Sequence, residues 1–172
     1  MNERPGAVTF QGNPLTVLGD PLEVGDAAPD FELLSNALEP VCLADSAGKV
    51  RLISVVPSLD TPVCDTQTRK FNEKIAACGD NVVGLTVSAD LPFAQARWCG
   101  AAGIDRVQTL SDHRTMAFGD AYGTHIKELR LEARAVFVVD AEGIIRYVQY
   151  VPEITTEPDY EAALAALKDI AG

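Results

Sequence analysis

The residues best equipped for chemistry lie in one stretch, Pro57-Ser58-Leu59-Asp60-Thr61-Pro62-Val63-Cys64-Asp65. An apolar run ends just before it and helical spacing begins just after it, so the stretch reads as a strand-to-helix junction. Thr61 has the chemistry of an N-cap and Pro62 that of a first helical residue, which puts Cys64 in the first turn near the N3 position. A sulfur there faces backbone N–H groups that have no intrahelical partner and the positive end of the helix dipole. Both favour thiolate over thiol, and the thiolate is the reactive species. Open α/β sheets usually keep their sites at the carboxyl ends of strands. The competing reading, a small buried hydrophobe, is outweighed by the helix-start placement and the flanking Pro and Thr.

The other cysteines are Cys42, Cys78 and Cys99, and successive spacings of 22, 14 and 21 contain no Cys-x-x-Cys. His113 and His125 are far from them in sequence, so the pattern of a zinc site is missing, and no Gly-rich phosphate loop follows a strand. Cys78 shares the apolar face of the helix that begins at Cys64 and reads as a core residue. Cys42, between Val41 and Leu43, carries no motif. Cys99 falls in a second helical segment and, on the residues alone, is equally a buried helix cysteine or a second working thiol.

The elements that must hold these groups are partly legible. Val8 and Phe10, then Gly12-Asn13-Pro14, then Leu15, Val17 and Leu18 predict an N-terminal hairpin over residues 1–19. Short strands are expected over 30–34 and 39–43. Three apolar runs, 51–56, 81–88 and 134–140, lack alternation and read as central strands covered on both faces. Between them, Cys64, Phe71, Ile75 and Cys78 line one face of a helix closed by Gly79. Further helices are predicted over 92–99, ending at Gly100, and over 115–121. Asp140 to Gly143 is a turn pairing 135–139 with 144–150. Thr156-x-x-Asp159 reads as a capping box for a terminal helix carrying Tyr160, Leu164, Leu167 and Ala171 on one stripe. The order is that of a thioredoxin-like α/β fold, a central mixed β-sheet flanked by helices with an N-terminal β-hairpin, in one domain spanning 1–172.

Composition narrows the class. The 172 residues are 47% hydrophobic and 23% charged, enough for one good core, and the net charge of -11 opposes binding to nucleic acid or anionic membranes. The N-terminus has no signal-peptide core and no apolar run reaches membrane-spanning length, so a cytoplasmic location is expected, where thiols stay reduced unless redox chemistry is their task.

Pro57, Thr61 and Cys64 match Pro-x-x-x-Thr/Ser-x-x-Cys, and on that motif the chain resembles the peroxiredoxins, in particular the bacterial thiol peroxidase branch with its atypical two-cysteine chemistry. The resemblance extends to Ser88-Ala89-Asp90-Leu91-Pro92-Phe93-Ala94-Gln95, Arg97-Trp98-Cys99-Gly100, Arg134 to Asp140 and Glu153 to Tyr160, nearly the whole chain. It implies that Cys64 attacks a hydroperoxide and becomes a sulfenic acid, with Thr61 turned towards thiolate and peroxide and Pro57 shielding the sulfenate. It also implies that Arg134 stabilises the thiolate and the leaving oxygen. Arg51 and Arg69 are rivals for that role, ranked lower by their distance from Cys64 along strand and helix. Cys99 matches the resolving position, implying an intramolecular Cys64–Cys99 disulfide reduced by thioredoxin. No flavin, haem or metal is required, and a homodimer is implied. A thiol–disulfide oxidoreductase, or a redox-sensing interaction protein on the same fold, is the alternative; the missing Cys-x-x-Cys speaks against the former.

Overall fold

The computed structural model describes residues 1–171. The N-terminal hairpin pairs β1 (Glu3–Phe10) with β2 (Asn13–Leu18). Its turn is Gln11-Gly12, one step earlier than the Gly-Asn-Pro signal indicates. Both residues take positive φ, +49° and +82°, as a two-residue hairpin turn demands.

Two strands follow, β3 (Glu32–Leu34), which begins two residues later than expected, and β4 (Pro40–Cys42), which stops at Cys42 because residues 43–46 wind into a single 3-10 turn. The centre is built from β5 (Val50–Val55), α1 (Pro62–Ile75), β6 (Val82–Ser88), α2 (Pro92–Ala102) and β7 (Val107–Ser111). Then come α3 (Ala117–Tyr122), the two-residue strands β8 (His125–Ile126) and β9 (Leu131–Glu132), the hairpin β10 (Ala135–Val139) and β11 (Ile145–Tyr150), and α4 (Tyr160–Ala171). The main sheet has the order β11-β10-β5-β6-β7-β3-β4, with β5, β6 and β7 parallel and the flanking strands antiparallel. A second sheet, β1-β2-β8-β9, adds the N-terminal hairpin to the short strands before Arg134. No described helix is long and apolar enough to cross a membrane.

The non-alternating runs are explained by two cores. Val50, Leu52, Val136 and Val138 face Phe71, Ile75, Ala163 and Leu167 of α1 and α4, while Ile53, Val55, Leu85, Val87 and Phe137 face Phe31, Phe118 and Tyr122. Alternate residues are buried on opposite faces, so period 2 disappears from the sequence.

Several boundaries differ from expectation. α1 stops at Ile75 and its tail closes by tight turns, Ala77 N–H to Lys74 and Cys78 N–H to Ile75, before Gly79 takes φ +87°. Cys78 is therefore half-buried at the core's edge and outside the helix. α2 runs past Gly100 and ends at Gly103, whose φ of +68° lets its N–H reach back to Cys99 O. α3 starts two residues later than expected, after Met116 at φ +56°. The terminal helix is capped by Asp159, which accepts from Ala162 N; Thr156 instead donates its hydroxyl to Glu153 O. β7 was not anticipated, because Gln108, Thr109 and Ser111 dilute its apolar signal although Thr109 and Ser111 are buried.

Candidate active site

Strand register explains why residues 70 apart in sequence meet. Ala135 pairs with Val55, so the antiparallel β10 begins where β5 ends, and Arg134 stands beside the loop leading into α1. The same register puts Arg51 opposite Val139, at the far end, where its guanidinium bonds Asp140 O, Leu43 O and Ser46 Oγ. Arg69 is half-exposed on α1 and paired with Asp65 at 2.9 Å. Neither rival reaches Cys64.

Cys64 is 0% exposed and packs with Val56, Leu59 and Trp98. Thr61 and Pro62 do occupy the N-cap and first helical positions. The loop before them is fixed by Asp90, whose carboxylate accepts from Ser58 Oγ at 2.7 Å, Leu59 N at 2.8 Å and Ser88 Oγ at 2.8 Å. The Thr61 hydroxyl donates to Ser58 O at 2.9 Å, so it neither caps the helix nor bonds Cys64. The expectation that it points at the sulfur does not describe this conformation; the loop's own carbonyl takes the proton. Trp98 closes the other side, donating its indole N–H to Asp65 at 2.9 Å.

Arg134 is only 2% exposed and all its bonds are inward. Nη2 donates to Cys64 Sγ at 3.3 Å and to Ile154 O at 2.6 Å, Nε donates to Ile154 O at 3.1 Å, and Nη1 donates to Gln67 Oε1 at 2.8 Å. Gln67, one helical turn beyond Cys64, is held in turn by donating to Ser54 Oγ at 2.7 Å. Among the described residues no carboxylate pairs with Arg134. A guanidinium stripped of water needs a counter-charge, and the one group bonded to it that can carry a negative charge is the Cys64 sulfur.

Ile154 is positioned by Glu153, which is held down to a pKa of about 2 by hydrogen bonds from Thr155 and Gly12, with Thr9 adding a further one. Glu153 thereby staples the tip of the N-terminal hairpin to the turn that presents Ile154 O. A cavity of about 290 Å³ opens between Phe10, Pro57, Thr61, Val63, Arg134 and Ile154. Its walls are mainly apolar, with Arg134 contributing to the lining.

Cys99 has other neighbours. It follows Trp98 on α2, so its side chain leaves the helix about 100° away from the one that covers Cys64. Its sulfur lies 3.3 Å from Thr109 Oγ1, beside a separate cavity of about 370 Å³ lined by Ser35 and Asn36. All four cysteines, Cys42, Cys64, Cys78 and Cys99, are free of disulfides. The structure thus brings Pro57, Thr61, Cys64 and Arg134 together and leaves Cys99 apart.

Sequence reasoning missed Gln67, Asp90, Trp98 and the Ile154 carbonyl. A polar Gln67 three residues from Cys64 on the face with Phe71 and Ile75 was a usable signal; a backbone carbonyl leaves none.

Comparison with known proteins agrees with this geometry. A family model described as Redoxin matches residues 23–164. The chain is 62% identical over 162 residues to the thiol peroxidase of Halalkalibacterium halodurans, covering 94% of this chain and 97% of that protein. This chain belongs to the Redoxin family, in its thiol peroxidase branch. The thiol peroxidase of Bacillus subtilis is 60% identical to it, over 94% of this chain and 96% of that protein. A peroxiredoxin-like protein from Aquifex aeolicus superposes on this redoxin with a TM-score of 0.89 at 42% identity, covering 96% and 97% of the two chains.

Proposed function

We propose that this peroxiredoxin-type peroxidase reduces hydrogen peroxide and organic hydroperoxides at Cys64, resolves the product with Cys99, and is reset by a thioredoxin-type dithiol. The observation that carries the reading is the buried Arg134, 3.3 Å from Cys64 Sγ and, among the described residues, without a carboxylate partner. The Cys64 thiolate attacks the terminal oxygen of the hydroperoxide, the O–O bond breaks, and the departing alkoxide or hydroxide takes up a proton. Arg134 supplies fixed donors for the charge that develops on that oxygen. Pro57 and the apolar cavity keep water from the sulfenic acid, and Thr61, at the cavity wall, turns its hydroxyl to orient the peroxide. The apolar lining has room for an organic tail. The chemistry uses two sulfurs and no bound cofactor.

Purified protein with thioredoxin, thioredoxin reductase and NADPH consumes NADPH only when hydroperoxide is added, and Cys64→Ser abolishes the turnover; robust turnover by that variant sinks the proposal. Cys99→Ser still reduces one equivalent of peroxide while thioredoxin-coupled cycling fails; unchanged cycling would show that Cys99 is not the resolving thiol.

A disulfide needs Cα atoms within roughly 7 Å, and the two cysteines have separate environments. With Cys64 Sγ held on Arg134 and Cys99 Sγ on Thr109, both contacts must break before the bond forms, and this reading has the first turn of α1 and the end of α2 unwind to allow it. Amide exchange in both segments rises on oxidation; equal protection in the two redox states counts against a Cys64–Cys99 bond.

A further inference from the structure

The way Cys99 is held determines more than where it sits. Thr109 is 1% exposed in the sheet on β7 and donates its hydroxyl to Asn36 Oδ1 at 2.9 Å. An amide oxygen can only accept, so the one Thr109 proton is committed to Asn36. What Oγ1 has left for Cys99, 3.3 Å away, is a lone pair. Cys99 must be the donor in that contact and is held as S–H, a form that does not attack a sulfenic acid. Asn36 sits in the turn between β3 and β4, so the three residues join α2, the sheet and its edge hairpin.

We propose that Thr109, oriented by Asn36, is a positioning residue that parks Cys99 as a thiol and sets the rate at which the resolving step occurs. This rests on the reading of Cys99 as the resolving thiol. The step it governs balances without an external oxidant: Cys99 Sγ attacks Cys64 Sγ, the S–S bond forms, the S–O bond of the sulfenic acid breaks, and the hydroxyl leaves with the Cys99 proton as water. Before it can happen, α2 must release Cys99 from Thr109. A parked thiol lengthens the life of the sulfenic acid, and a long-lived sulfenic acid meets a second hydroperoxide, which oxidises it to the sulfinic acid and leaves as the alcohol or water. Thr109 therefore sets how the oxidised enzyme divides between disulfide and sulfinic acid.

The test compares Thr109→Val, which keeps shape and loses the acceptor, with Thr109→Ser, which keeps the hydroxyl. Trp98 touches the Cys64 cluster and directly precedes Cys99, so its fluorescence reports both oxidation and resolution in stopped flow. Thr109→Val leaves the peroxide-dependent first phase unchanged and speeds the peroxide-independent second phase by about fivefold, the worth of one hydrogen bond. The sulfinic fraction per turnover, read by mass spectrometry at high peroxide, falls by a similar factor. Thr109→Ser behaves as the parent on both readouts, which a merely structural loosening would not restore. An unchanged or slower second phase in Thr109→Val, or a serine variant indistinguishable from the valine one, overturns the role of Thr109. A second phase that persists in Cys99→Ser overturns instead the assignment of the resolving thiol on which the proposal stands.

Discussion

Replacing Arg134 by methionine lowers the rate of Cys64 oxidation by roughly 10²- to 10³-fold, the usual cost of removing a preorganised donor from a developing oxyanion. Two effects act together. The Cys64 sulfur loses the cation bonded to it, and the leaving oxygen loses its fixed donors. Stability falls too, because Gln67 Oε1 and Ile154 O lose the donors they share with this side chain, and a buried unpaired acceptor costs about 1–3 kcal/mol. Arg134→Lys keeps the charge but cannot reach three acceptors in one plane; it recovers part of the rate and less of the stability. The control is Arg51→Lys, a second buried arginine on the same sheet whose bonds go to Asp140, Leu43 and Ser46. It destabilises the fold while leaving the oxidation rate intact. Single-turnover stopped flow on folded protein, with thermal melts alongside, separates the two. An oxidation rate within a few-fold of the parent in Arg134→Met removes Arg134 from the mechanism.

This outcome also shows what was legible in the sequence. Cys64, Thr61 and Pro62 lie within one helical turn, and local capping chemistry alone places them. Arg134 depends on strand register: only the pairing of Ala135 with Val55 sets it beside Cys64, and on residues alone it is one of three candidate arginines. Central strands were readable because continuous apolar runs report burial on both faces. β7 was not, since Thr109 and Ser111 are buried by hydrogen bonding, a reason that composition does not encode. A glycine is an ambiguous stop signal: Gly100 lies inside α2, and the end comes at Gly103, where left-handed geometry is adopted. Asp90 and Gln67 could be seen as polar residues in apolar settings, but their partners come from other elements. The segment 124–132 carried no pattern because β8 and β9 are two residues each, and what fixes it is a buried carboxyl group.

That group, Glu132, gives the second large prediction. It is 0% exposed; Thr124 donates to Oε2, and among the described residues Oε1 has no hydrogen-bond donor. Asp112 accepts from Phe118 N and Gly119 N, so its lone pairs are engaged as an acceptor, and the two carboxyls approach over Gly119, where a Cβ would lie 2.8–2.9 Å from the Glu132 oxygens. Burial, and then the hydrogen bond and charge of Asp112, push the Glu132 carboxyl well above its usual range. A proton on Glu132 then supplies the donor that the pair lacks. Asp120 also faces it from α3, and His125, paired across from it on β8, is bonded to Asp120 at 2.7 Å. The folded state holds this proton to higher pH than the unfolded chain does. Its contribution to stability is therefore complete below about pH 4.5 and is lost as pH rises towards the raised folded value. Within that window each pH unit costs about tenfold in the folding equilibrium. Glu132→Gln supplies a permanent N–H to Asp112 and keeps an oxygen for Thr124, so it removes one proton from the pH slope. Denaturant unfolding from pH 5 upward shows the two proteins diverging by about tenfold per unit at first, the variant being increasingly the more stable; parallel profiles would mean that no proton is shared.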